Sequence, residues 1–240
     1  MQTFLQGFLD NDSAFGRLMN KIGIIVGANL MFVVFSIPVF TIGAGFVALY
    51  HVMLKTLRGD GNINPFKQFW LGFKSNFKQA TICWIIAVVL VIIGYVDYSI
   101  CRQAGGFLGI LVYGLYAFAF VGAVIFLYLL PVMAAFADTI PHLMRNAIFF
   151  AVKKPFKLIV ILFFDIFPFV LTYSDPHFLP LYAFCWFFFG FGALAMLGSA
   201  LLVKEFAPYL PAVDAEGDFI ASDAEDEGKM LEDLKMLDGL

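Results

Sequence analysis

Long apolar runs, separated by Pro, Gly and short basic stretches, recur from one end of this chain almost to the other. Nothing constrains its fold more. A run of about 20 apolar residues spans a bilayer as a helix, because only internal hydrogen bonds satisfy its backbone in hydrocarbon. Six such runs are read, at residues 22–37, 41–57, 79–99, 107–137, 157–173 and 181–203. Composition agrees: 62% of residues are hydrophobic, 14% are charged and mean hydropathy is +0.89. A chain this apolar would aggregate in water. The expectation is an all-α polytopic membrane protein with about six transmembrane helices and two cytoplasmic interfacial amphipathic helices.

Three units follow. Residues 1–21 read as an amphipathic lead-in helix capped at Asp12 or Ser13, with Phe15, Leu18, Met19 and Ile22 on one face. Asp10 and Asp12, with no small-residue cleavage site, argue against a cleaved signal peptide. Residues 22–203 form the membrane domain and 204–240 an acidic tail. Pro38 ends the first span, and the short turn after it makes the first two spans an antiparallel hairpin. In the second span Gly43, Gly45 and Ala48 let a neighbouring helix approach closely. After a turn at Arg58–Gly61, Asn64–Pro65 starts a short interfacial helix. It carries the ribbon Phe66, Phe69, Trp70, Phe73 and Phe77, interleaved with Lys67, Lys74 and Lys78. Rings at the acyl boundary and ammonium groups among headgroups suit such a ribbon. A second polar and aromatic loop covers residues 138–156. Pro131 and Pro168 fall inside spans four and five. A weak internal echo pairs residues 73–78 with 152–157 at an offset of 79.

Charge is divided unevenly. Residues 1–203 carry 12 Lys/Arg and 7 Asp/Glu, whereas residues 204–240 carry 3 and 11. With six spans, one side of the membrane receives 14 of the 15 Lys/Arg and the other only Arg102. The positive-inside rule then puts both termini in the cytoplasm. In the tail, Ser222 and Glu225 have capping-box spacing, and Met230, Leu231, Leu234 and Leu237 share a helical face. A helix of that kind suits a basic partner surface for residues 212–240; a disordered acidic tail is the alternative.

Few residues invite chemistry. His51 and Asp165 are ionisable groups inside apolar runs, read as an intramembrane polar pair or as caps on kinked neighbouring helices. Asp97 and Arg102 read as a surface ion pair. Asp138, His142 and Arg145 share one face of the second loop. Cys83, Cys101 and Cys185 are too few and scattered for a disulfide framework or a metal site. No enzyme motif is present, and neither a cofactor, a catalytic residue nor nucleic acid is expected. Anionic lipid suits the basic ribbons.

Asn29, Pro38, Thr41, Gly43, Ala48, Tyr50, Phe69, Phe73, Asn76, Phe77, Lys78 and Gln79 together carry a resemblance. This pattern closely resembles the signature of the YesL-like family of small bacterial multi-helix membrane proteins, a domain of unknown function. The likeness extends more loosely to about residue 203 and does not take in the acidic tail. Members often lie beside genes for carbohydrate ABC importers and sugar-responsive regulators. The resemblance therefore implies an accessory, non-catalytic subunit that packs against the permease subunits of such an importer. A small transporter or channel with His51 and Asp165 in its path, or a regulator acting through the tail, are the alternatives. The family supplies no established binding residues to carry over.

Overall fold

A computed structural model describes residues 14–59, 63–104 and 106–210. The proposed Asp12 or Ser13 cap, part of the Arg58–Gly61 turn and the tail beyond Leu210 lie outside them. Among the described residues the secondary structure is wholly helical, and six helices are long and apolar enough to cross a membrane. They run α1 (Ala14–Phe35), α2 (Ile42–Arg58), α3 (Pro65–Ala104), α4 (Gly106–Ala135), α5 (Ile140–Lys153), α6 (Pro155–Ser174), α7 (Leu179–Cys185) and α8 (Phe191–Phe206). A π-helical turn, Trp186–Gly190, joins α7 to α8 so that together they make the sixth span.

The α1–α2 hairpin closes as Pro38 dictates, through a 3-10 turn at Val39–Thr41. A turn at this depth must satisfy its own carbonyls. The Thr41 hydroxyl donates to the carbonyls of Phe35 and Pro38. The Trp84 indole N–H donates to Val39 O at 2.9 Å, tying the turn to α3. From this turn α2 descends through the centre of the bundle and packs on α1, α3, α4 and α8. Val47, Ala48, Leu49, Val52 and Met53 are fully buried along it.

The interfacial helix expected from Asn64 is not separate from span three. Residues 65–104 form one 40-residue helix. Asn64 Oδ1 accepts from the backbone N–H groups of Phe66 and Lys67 at 3.0 and 3.2 Å, and Pro65 occupies the first turn. No proline follows to stop the helix before Ala104. At 1.5 Å per residue α3 is about 60 Å long, twice the hydrocarbon thickness of about 30 Å. Its lysine-bearing first half therefore extends out of the apolar layer. The second loop does form a discrete helix, α5. It is cut from α6 at Lys154, whose extended φ of −137° is imposed by Pro155. The echoed segments thus differ in structure, because Asn76 continues a helix where Pro155 interrupts one.

Packing is uneven. The most apolar window of α2 is 67% buried, but those of α3 and α6 are each only 6% buried. A polar tie holds α6 near its start: Lys157 Nζ donates to Leu201 O at 2.8 Å and to Glu205 Oε1 at 2.7 Å. Lys157→Met is expected to cost only about 1 kcal/mol globally, since the pair is partly solvated. Its clearer effect is faster hydrogen exchange of α6 amides with α2 amides unchanged.

Candidate functional site

Two polar features stand out in an otherwise apolar bundle. The first is Asn29, two-thirds of the way along α1 and fully buried. Its Nδ2 donates to the carbonyls of Trp186 and Phe187 at 3.1 and 2.7 Å, and its Oδ1 accepts from Gly192 N–H at 2.8 Å. A π-helical turn breaks the regular i→i−4 ladder and frees backbone groups. Asn29 fills that gap from the neighbouring helix. Gly192 allows the approach, since a Cβ there would sit 2.8 Å from Ile25 O. The sixth span is therefore bent around an amide supplied by the first.

The second feature is a basic cavity of about 270 Å³ at the end of the bundle where α2 finishes and α3 begins. His51, Lys55 and Arg58 enter it from one face of α2, at i, i+4 and i+7. Gln68 and Ser75 enter from α3, and Ala134, Ala135 and Leu210 complete the wall. Gly72 brings the two helices together there, because a Cβ on it would meet His51 Cβ at 2.8 Å. Lys55 and Gln68 are only 8% and 7% exposed, and Gln68 Oε1 has no hydrogen-bond partner. A buried polar atom without a partner is costly.

The expected His51–Asp165 pair is not formed. His51 faces the basic cavity, whereas Asp165 lines an open groove of about 480 Å³ with Leu127, Ile166, Phe169, Val170 and Tyr173. Depth along a helix fixes height but not rotation, and rotation sends the two side chains to different faces. Asp165 lies within electrostatic reach of Tyr50 on α2 instead. One turn beyond Pro168, Thr172 Oγ1 donates to the Pro168 carbonyl at 2.8 Å and accepts from Trp186 Nε1 at 3.0 Å.

Gly43, Gly45 and Ala48 are helix-contact positions, but inside this chain. A Cβ at Gly43 would lie 2.5 Å from Trp84 Cβ on α3, and one at Gly45 would lie 3.1 Å from the Phe32 ring on α1. Ala48 is fully buried. The aromatic ribbon is likewise divided. Phe69 and Phe73 turn inward, with Phe73 packed on Phe35 at a ring separation of 4.9 Å; Phe66, Trp70 and Phe77 remain exposed with Lys74 and Lys78. Arg102 donates to the Tyr98 hydroxyl at 3.1 Å in place of the expected pairing with Asp97. On the second loop His142 Nδ1 does meet Asp138 Oδ1 at 3.2 Å, while Arg145 is exposed. Among the described residues no group of three or more His, Cys, Asp or Glu is placed to hold a metal.

Reading by residue type alone passed over Lys55, Arg58 and Gln68 as a set. The i, i+4, i+7 spacing of His51, Lys55 and Arg58 was the available signal.

A polytopic helical membrane protein, built around a buried second span and carrying a basic cavity at one end, is the class these features define. Residues 25–98, from within α1 to within α3, match the family described as "Protein of unknown function, DUF624". The chain is also 25% identical over 134 residues to the "Uncharacterized protein YteU" of Bacillus subtilis (strain 168). That alignment takes in 53% of this chain and 60% of the relative, so it spans less than two thirds of the relative's length. No solved structure matches. These findings support the YesL-like resemblance over residues 25–98. The matched stretch includes Asn29, the three small residues of α2, and His51, Lys55, Arg58 and Gln68.

Proposed function

We propose that this protein is a non-catalytic accessory subunit in a bacterial cell membrane, packing against the permease subunits of a carbohydrate ABC importer. Both termini and the basic cavity face the cytoplasm in this reading, with 14 of 15 Lys/Arg on that side. The sugar-importer assignment comes from the family resemblance. The structural observation that supports a subunit role is the small burial of α3 and α6, each 6% over its apolar window. Van der Waals packing drives helices together in lipid. Here α1, α2, α4, α8 and the first half of α3 use it, while Val91 on α3 and Phe163 on α6 stand out at 71% and 56% exposure. Such spans offer long apolar ridges to the helices of another chain.

The transporter alternative has less support. The centre of the bundle, where a path would run, is filled by α2 side chains with no exposure. Purification of the tagged chain from its own membranes in mild detergent separates the two readings. Stoichiometric recovery with ABC permease chains is the expected result. Clean recovery alone, with sugar flux after reconstitution into liposomes, overturns the subunit reading.

A further inference from the structure

Asp165 sits midway along α6, about 15 Å from the helix start at Pro155. An ionisable group at that depth is costly unless it is paired, and intramembrane charges pair mainly with one another. Among the described residues Asp165 has no hydrogen bond or ion pair. Lys157, the cation carried by α6, lies about 12 Å back along the helix and is bonded to Glu205 at 2.7 Å. Tyr50 on α2 is within electrostatic reach, but a neutral phenol offsets no charge. We infer that a transmembrane helix of a partner chain lies between α4 and α6 and presents a Lys or Arg to Asp165. This inference rests on the reading of the protein as a subunit and adds the chemistry of the contact. The groove suits that occupant. Leu127 of α4 forms one wall, and Asp165, Phe169 and Tyr173 follow one another along α6 at i, i+4 and i+8. A carboxylate flanked by aromatic rings complements a cation whose apolar stem packs on those rings. The flanks are uncovered. Phe120, on the Leu127 face of α4 two turns earlier, is 60% exposed, and Ile166 and Val170 on α6 are 54% and 51% exposed. A helix laid in this gap buries all three and neutralises the carboxylate.

The test is photocrosslinking in native membranes from a benzophenone amino acid at Ile166, beside Asp165, with each adduct mapped to its residue by mass spectrometry. The expected adduct lies on a membrane-spanning segment of another chain, within about one helical turn of a Lys or Arg. Asp165→Asn is expected to cut its yield at least about tenfold while the Tm of the purified chain is kept. Asp165→Lys is expected to abolish it, and replacing the partner's basic residue by Asp is expected to restore it. Four results overturn the inference: an adduct with lipid alone, an adduct on a segment without Lys or Arg at that depth, an unchanged yield in Asp165→Asn, and no rescue on charge exchange. The importer assignment is judged separately. A basic partner helix from a chain that is not an importer permease keeps this inference and overturns that assignment. Permease adducts from Val91 on α3, with none from Ile166, do the reverse.

Discussion

Asn29→Ala is expected to destabilise the fold by about 2–4 kcal/mol. Three hydrogen bonds cross from α1 to the sixth span through this one amide. Removing it strands the Trp186 and Phe187 carbonyls and the Gly192 N–H at a depth where water does not replace them. Interhelical side-chain hydrogen bonds in membranes average only about 0.6 kcal/mol, so the estimate rests on three orphaned backbone groups acting together. Asn29→Leu separates hydrogen bonding from packing. It restores most of the lost volume, and the same destabilisation is expected from it. Denaturation in mixed micelles, monitored by helical signal, measures both. A loss confined to Asn29→Ala would assign the effect to the cavity and not to the amide.

Gly43→Leu is expected to be nearly as damaging, for the opposite reason. The site has no room: even the first added carbon would lie 2.9 Å from the Ala80 carbonyl as well as 2.5 Å from Trp84 Cβ. A backbone atom cannot swing aside, so α2 must move off α3. Overpacking of this kind costs about 1–3 kcal/mol for each misfit. The shift also pulls Trp84 from Val39 and reopens the hairpin turn. Gly94 is the matching control. A Cβ there meets nothing within 4 Å, so Gly94→Ala is expected to be neutral or to stabilise α3 by up to about 1 kcal/mol. Thermal unfolding of the two variants in one detergent gives the comparison. Equal Tm values would contradict the close α2–α3 contact.

These effects show which parts of the molecule could be read in advance. The six spans were legible because water and hydrocarbon differ so sharply as solvents. The hairpin turn was legible because Pro38 leaves the backbone few choices. The facing of each helix was not, since protein and lipid are equally apolar to a side chain on a span. Gly43, Gly45 and Ala48 announced a close helix contact without saying that its partners were α1 and α3. Phe69 and Phe77 occupy the same ribbon, yet one is buried and the other is not. The continuity of α3 was missed because a change from polar to apolar composition was read as an end, although no residue there breaks a helix. Asn29 was visible as a motif position, but its work depends on a π-helical turn some 157 residues away in sequence.

Site-specific photocrosslinking in native membranes tests the central claim most directly. The claim is that α3 and α6 are exposed because another chain covers them. A benzophenone amino acid is placed at Val91, 71% exposed on α3, with a matched one at the fully buried Met53 as control. The account predicts a discrete adduct from Val91 whose second chain is identified by mass spectrometry as an ABC importer permease, with none from Met53. Adducts only with lipid, or only with a second copy of this protein, would contradict it.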